Sequence, residues 1–264
     1  MEVDIKTMQI NNDKGVKKIN KKIYTILLAL LVLTIFLVLW YINRGGKDLI
    51  LESHSYNHNS NDYVVYISEG DELCPYLVID DNYNDMCILL REDLLDTHMS
   101  FDEKSSYYAN SKLDSYLNNE FYHSLSPNLQ KLISETNIEI VSQDSIGNCG
   151  NATETIKRRI FLLSCTEVGL NDNSLIVSEG EKINFFDTAK HLIAFQKGLP
   201  SSWWLRSSYT WYRNSTWSIA GNGKIGSGDV TALNGIRPAF CLDKKTIIKK
   251  STDIKTNKKI YVIE

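Results

Sequence analysis

A short span near the C-terminal end of the sequence gathers aromatic rings and polar groups that suit ligand binding. It contains Tyr209, Trp211, Tyr212, Asn214 and Trp217. Aromatic faces stack on sugar rings or peptides, and a neighbouring side-chain amide can bond the polar groups of such ligands. The alternative is a β-hairpin that packs one aromatic face against the core. These five residues are therefore candidate ligand-binding residues, and both interpretations stay open.

Two arginines flank this span, Arg206 before it and Arg237 after it. A guanidinium is a planar fork of donors that matches carboxylates and other anions. In a strand, Trp203 and Leu205 would share one face. Trp204 and Arg206 would share the other. The structural interpretation is that both arginines bond carbonyls or carboxylates across adjacent strands. The functional interpretation adds both to the ligand-binding candidates, as an anion-binding pair that lines a cleft.

Signatures of the common enzyme classes are missing from the sequence. It has no Gly-x-Ser-x-Gly elbow, no phosphate-binding loop and no His-Glu-x-x-His motif. His54 and His58 have the i, i+4 spacing of metal ligands, but the glutamate of a zinc-protease motif is absent. We therefore predict no catalytic residue, no metal site and no cofactor. Whether the protein is an enzyme stays open, and a non-enzyme is favoured.

The cysteines do not form a recognisable metal motif. They stand at Cys74, Cys87, Cys149, Cys165 and Cys241, an odd number without a Cys-x-x-Cys pair. Three of them, Cys87, Cys165 and Cys241, lie in apolar strand-like segments. Buried free thiols behave as small hydrophobic side chains, so we expect these three to be buried and unpaired.

Composition excludes one broad class of partner. The formal net charge is −3 and 43% of the residues are hydrophobic. Such a chain folds as a globule and lacks the strongly basic surface that binds the phosphate backbone. We therefore predict no nucleic-acid partner.

An uninterrupted apolar run occupies residues 23–42 and ends in Trp40, Tyr41 and Ile42. About 20 helical residues cross a hydrocarbon core of about 30 Å. A buried core helix would usually show a polar stripe, and a cleaved signal peptide has a shorter run and a small-residue cleavage site. The run therefore predicts a transmembrane helix with the lipid bilayer as its partner.

The flanks of this run predict its orientation. Lysines concentrate before it, and only Arg44 and Lys47 follow closely. The positive-inside rule then gives a single-pass protein of the cell membrane, with residues 1–22 as a cytoplasmic tail and the C-terminal part outside. Residues 43–60 read as a polar spacer, and residues 61–264 as one extracytoplasmic α+β domain.

Local patterning within this domain predicts a mixture of strands and helices. β-Branched segments predict strands at 62–68, 75–80, 86–90, 137–142 and 159–165, with a hairpin turn at 81–85. Helical spacing predicts helices at 110–124 and, shorter, from Ser126-Pro127 onward. A third helix is predicted at 186–197, before Gly198-Leu199-Pro200. Strands at 203–207, 211–220 and 235–242 follow.

Four blocks carry a resemblance to a known family. Ser-Trp-Trp-Leu-Arg-Ser (202–207) and Gly-Ile-Arg-Pro-Ala-Phe (235–240) resemble the Trp-Trp-Leu-Arg-Ser-Pro and Gly-Val-Arg-Pro-Ala hallmarks of an uncharacterised bacterial domain family. Residues 111–122 are similar to its helix, and residues 160–164 to its Val-Phe-Leu-Leu-Ser segment. Ser208, Tyr116 and Asp114 depart from the family pattern. The closing blocks also look distantly similar to the C-type-lectin-like and formylglycine-generating-enzyme folds, which implies a C-type-lectin-like body without fixing a function.

Together these observations predict a membrane-anchored, extracytoplasmic binding or interaction module on a bacterial cell surface. Its expected partner is a surface glycan, a wall polymer or a protein. The alternative is a membrane-tethered enzyme that acts on cell-envelope substrates.

Overall fold

The structure is a computed structural model that describes residues 23–36, 49–58, 63–170 and 173–263. The chain divides into two compact units, Met1–Asp48 and Leu49–Glu264. In the first unit, residues 23–36 are helical. In the second, residues 49–58 of the predicted spacer are folded, with Leu51 and His54 buried. Residues 43–48 and 59–60 of that spacer lie outside the described residues.

The predicted transmembrane helix is not supported. Across the described ranges, no helix is both long and apolar enough to cross a membrane. Residues 37–42 of the predicted span and the predicted tail, residues 1–22, lie outside the described residues. The predicted orientation and location are not tested by this finding and stay predictions.

The predicted α+β class is also corrected, because the fold is mainly β. Strands hold 37% of the described residues and helices 23%. In chain order, the strands are β1 (Leu49–Ile50), β2 (Val64–Glu69), β3 (Glu72–Tyr83), β4 (Met86–Arg91), β5 (Thr136–Val141), β6 (Thr153–Arg158), β7 (Ile160–Phe161), β8 (Ala194–Gln196), β9 (Leu199–Ser201), β10 (Trp203–Ser208), β11 (Ser215–Ile219), β12 (Ile225–Asp229), β13 (Ala239–Leu242), β14 (Ile247–Thr252) and β15 (Lys259–Ile263). Two of these, β14 and β15, lie in the Lys-rich end of the chain, for which the sequence analysis predicted no strand.

The helical elements of the second unit are short. They are α1 (Lys112–Tyr116), a π-helical turn (Leu117–Phe121), α2 (Tyr122–Ser124), α3 (Pro127–Leu132) and 3-10 segments at Leu51–His54, Tyr56–His58, Gln143–Ser145, Asn184–Asp187 and Ala189–Leu192. The run from α1 to α2 confirms the helix predicted at 110–124. The Ser111 hydroxyl caps it by accepting the Asp114 N–H at 3.1 Å, and Ser126 caps α3 in the same way.

A large sheet of eight strands dominates the second unit. Its spatial order is β1-β14-β15-β2-β3-β4-β13-β7, and every neighbouring pair is antiparallel except β15 and β2. The predicted hairpin turn joins β3 to β4 through Asn84 and Asp85, both at positive φ. This geometry matches the right-handed twist of the flanking strands, and Asn and Asp tolerate it.

A smaller antiparallel sheet, β10-β11-β12, carries the first hallmark motif. Trp203 and Trp204 on β10 are both fully buried. Their indole nitrogens donate to the carbonyls of Leu192 (3.0 Å) and Met99 (2.9 Å), so burial leaves neither N–H without a partner. The pair anchors the small sheet in the core.

The helix predicted at 186–197 is wrong. Two 3-10 segments occupy the start of this range, and Ala194–Gln196 forms strand β8, which pairs with β9. Lys197 and Gly198 both have positive φ and form the two-residue turn between these strands. The glycine therefore closes a hairpin instead of ending a helix.

Candidate functional site

Arg206 lies on β10 in the interior of the protein. Its side chain is 0% exposed, as is that of Glu167. Nη1 donates to Glu167 Oε2 at 2.6 Å and Nη2 donates to Oε1 at 2.7 Å. The remaining donors reach the carbonyls of Glu139 and Leu162, each at 2.8 Å. All three guanidinium nitrogens therefore have hydrogen-bond partners within the protein.

A second buried carboxyl group, Glu179, lies beside this ion pair. Its Oε1 accepts the Val141 N–H at 2.8 Å, and its Oε2 accepts the Ser207 hydroxyl. Burial raises the pKa of Glu179 to about 7, against the opposing effect of the Arg206 charge. Glu179 therefore changes its charge near neutral pH, inside the core.

Tyr83 connects the ion pair to the protein surface. Its hydroxyl donates to Glu167 Oε1 at 2.6 Å, and its ring stacks on Phe161. Burial, followed by the negative charge of Glu167, raises the pKa of Tyr83 well above its usual range. The hydroxyl therefore stays protonated and keeps its hydrogen bond.

Arg237 lies in the core as well, without a bonded carboxylate. Its fork donates to the backbone carbonyls of Arg91 (3.0 Å), Glu92 (3.2 Å) and His191 (3.1 Å). Its guanidinium also lies over the Trp203 ring, 5.2 Å from the centroid. Burial lowers the pKa of Arg237 to about 10. Both arginines therefore bond carbonyls or carboxylates inside the protein, as the structural interpretation predicts.

The aromatic candidates divide into an exposed pair and an inner pair. Trp211 is 52% exposed and Tyr212 is 61% exposed, in the turn between β10 and β11. Tyr212 stacks on the partly buried Tyr209, with ring centroids 5.7 Å apart. Tyr209 meets the buried Trp217 edge to face at 5.0 Å. We call Tyr209–Asn214 the aromatic turn; its outer rings face solvent and its base is fixed to the core.

Polar contacts also hold the aromatic turn in place. Asn214 Nδ2 donates to Asp229 Oδ2 at 2.8 Å. The N–H groups of Gly147 and Cys149 both donate to the Thr210 carbonyl, at 2.7 and 3.2 Å. The turn is thus bonded to β12 on one side and to the loop after β5 on the other. Because these bonds already restrict the turn, it would lose little conformational entropy when a ligand binds.

A polar cleft that the sequence analysis missed lies elsewhere in the same unit. It has a volume of about 520 Å³ and is bordered by the β3–β4 hairpin, by β5 and by the loop at 180–184. Five asparagines line it: Asn57, Asn82, Asn84, Asn137 and Asn184. They come from four separate segments of the chain, so no local pattern could have grouped them. We call this site the asparagine cleft.

The thiols and acidic groups form no metal centre in the part of the chain that the structure describes. No group of three or more His, Cys, Asp or Glu side chains is placed to hold a metal ion there. All five cysteines are free; Cys87, Cys165 and Cys241 are buried as predicted, Cys74 is also buried, and Cys149 is exposed. Burial raises the pKa of the Cys87 thiol to about 12, which makes it a poor nucleophile.

The second unit is a β-rich domain whose two hallmark arginines are bonded in its interior. Residues 84–244 match the family described as Domain of unknown function (DUF6273), and the chain belongs to that family. This confirms the predicted membership in an uncharacterised domain family. No curated protein and no solved structure matches the chain, so the distant similarity to C-type-lectin-like and formylglycine-generating folds is not confirmed.

The family match includes both hallmark motifs but only part of the large sheet. Strands β4, β13 and β7 fall inside residues 84–244, whereas β1, β14, β15, β2 and β3 fall outside. These outer strands are contiguous in the sheet. Segments from both ends of the chain therefore extend the matched region along one edge.

Proposed function

We propose that this domain is a binding module that holds a surface glycan or wall polymer through the aromatic turn. The observation that carries the proposal is the exposure of Trp211 and Tyr212 on a turn whose base is packed into the core. Exposed rings held in fixed positions offer stacking faces to sugar rings at little cost in conformational entropy.

The contacts of the inner rings support this proposal. Tyr209 and Trp217 pack against the core and against each other, whereas the Trp211 ring is half exposed. A hairpin that served only to cover the core would place its large rings inward. The packing interpretation therefore fits the inner pair, Tyr209 and Trp217. The ligand-binding interpretation fits the outer pair, Trp211 and Tyr212, which faces solvent.

A sedimentation assay tests the proposal. Full-length protein is mixed with purified, insoluble bacterial cell walls, and the bound fraction is measured for the wild type and for the double variant Trp211→Ala/Tyr212→Ala. Loss of two stacking contacts should weaken binding by about tenfold or more. Phe195→Ala, an exposed aromatic on β8, is the matched control and should bind as the wild type does.

The same mixtures distinguish the enzyme alternative. Soluble sugar fragments released from the walls are measured over time in the supernatant. Unchanged sedimentation of the double variant would contradict the proposal. Steady release of fragments without retention of the protein would favour an enzyme instead.

A further inference from the structure

The asparagine cleft has the size and the chemistry of a small-molecule site. Its volume of about 520 Å³ lies within the range of roughly 300–1,000 Å³ that is usual for ligand pockets. Its five asparagine side chains each carry one acceptor and two donors. Hydroxyl groups also donate and accept, so a polyhydroxyl ligand can pair with such a lining in either direction.

The formal charge of the lining decides which ligands fit. Three carboxylates, Asp80, Glu139 and Glu181, and one lysine, Lys182, belong to the lining, and Lys244 Nζ reaches it by donating to Asn82 Oδ1 at 3.3 Å. Lys182 is itself paired with Asp187 at 2.5 Å. This excess of negative charge repels phosphorylated and carboxylated ligands.

Hydrogen bonds fix the walls of the cleft. Asn84 Nδ2 donates to the Asn137 carbonyl at 2.9 Å and so ties the β3–β4 hairpin to β5. The Gly180 N–H donates to Glu139 Oε2 at 2.8 Å and ties the third wall to β5. Tyr83 also belongs to the lining, and its hydroxyl group is fixed by its hydrogen bond to the buried Glu167. A preformed site loses little entropy when a ligand enters.

We propose that the asparagine cleft is a second binding site, which takes a carbohydrate without anionic groups. The amides pair with its hydroxyl and acetamido groups, and the carboxylates accept further hydroxyl hydrogens. The site is separate from the aromatic turn and does not depend on it. The Arg206–Glu167 ion pair then supports this site through Tyr83.

Three trisaccharides that differ in charge test the inference. Trimers of N-acetylglucosamine (neutral), glucosamine (cationic) and galacturonic acid (anionic) are titrated into ¹⁵N-labelled full-length protein, and binding is followed by NMR. The Trp211→Ala/Tyr212→Ala variant serves as the background, so that failure of the aromatic turn does not affect the result. We expect the neutral and cationic trimers to bind and the anionic trimer to bind much more weakly, with shifts confined to residues of the cleft.

Two variants assign the binding to the cleft. Asn137→Ala/Asn184→Ala removes two exposed amides, whereas Asn128→Ala, exposed on α3, is the matched control. Loss of two net hydrogen bonds should weaken binding of the neutral trimer by about tenfold, and the control should not change it. Binding of the anionic trimer as tight as that of the neutral trimer, shifts outside the cleft, or no binding of any trimer would overturn the inference.

Discussion

Arg206 and Glu167 form an ion pair that is fully excluded from solvent and closed by two parallel hydrogen bonds of 2.6 and 2.7 Å. The pair joins β10 to the turn that follows β7, and a further bond to the Glu139 carbonyl adds β5. Burying two charges is costly, and the cost is offset only when the geometry is close and the remaining donors are satisfied. Here all of these conditions are met, so the arginine of the hallmark motif fastens separate segments together.

Removal of one charge from this pair should destabilise the fold strongly. Glu167→Gln removes the carboxylate that is bonded to the buried Arg206 guanidinium, and breaking a buried ion pair in this way typically costs about 3–5 kcal/mol. The free energy of unfolding, measured by urea denaturation, should fall by that amount.

A surface ion pair is the control for this prediction. Arg159 and Glu135 lie 3.6 Å apart and are each 47% exposed. Because exposed pairs contribute roughly 0–1 kcal/mol, Arg159→Ala should have a small effect. Equal losses in the two variants would show that the buried pair has no special role.

Glu179 should make stability depend on pH between about 4.5 and 7. Its pKa rises from a usual value of 4.5 to about 7 in the folded protein. Between these values the folded chain keeps a proton that the unfolded chain has released, so the free energy of unfolding falls as pH rises. The fall is complete above the folded pKa and amounts to about 3 kcal/mol.

The variant Glu179→Gln isolates this contribution. A glutamine cannot titrate, yet its carbonyl oxygen can still accept the Val141 N–H and its amide can bond Ser207. Urea denaturation of both proteins at pH 5 and pH 8 should show a smaller fall in the variant. Parallel pH profiles of the two proteins would rule out a titrating Glu179.

Gly235, at the start of the second hallmark motif, should not tolerate a side chain. A Cβ atom there would lie 2.5 Å from Leu94 Cδ1 and 2.6 Å from the Ser202 carbonyl oxygen. Gly235→Ala should therefore lower the free energy of unfolding by about 1–3 kcal/mol through overpacking. Gly226→Ala is the control, because its nearest neighbour would be the Ser218 hydroxyl at 3.7 Å. Thermal and urea unfolding that ranked the two variants equally would refute this explanation.

Local patterns in the sequence predicted the elements that local forces determine. The helix predicted at 110–124 forms with Ser111 as its cap, and Asn84-Asp85 closes the predicted hairpin between two predicted strands. The aromatic turn was also found, because its residues are adjacent in the chain. In each case the signal lies within a few residues of the structure that it specifies.

Features that depend on distant pairing could not be read from the sequence. Lys197-Gly198 forms the turn of a local hairpin, although the same residues also resemble the end of a helix, and the Leu94 N–H, far away in sequence, donates to the Phe195 carbonyl of that hairpin at 2.8 Å. Asn57 and Asn184 meet in one cleft only after the β3–β4 hairpin, β5 and the loop at 180–184 come together. Sequence spacing carries no information about such long-range contacts.

The central claim is that the exposed ring of Trp211 contacts the ligand, and acrylamide quenching of tryptophan fluorescence tests it most directly. Trp211 is 52% exposed, whereas Trp203, Trp204 and Trp217 are at most 5% exposed. Trp40, which lies outside the described residues, is removed by Trp40→Phe. We expect solubilised peptidoglycan fragments to reduce the acrylamide quenching of the Trp40→Phe protein. The same fragments should not change the quenching of the Trp40→Phe/Trp211→Phe protein. Full quenching of Trp211 while the fragments are bound would contradict the account.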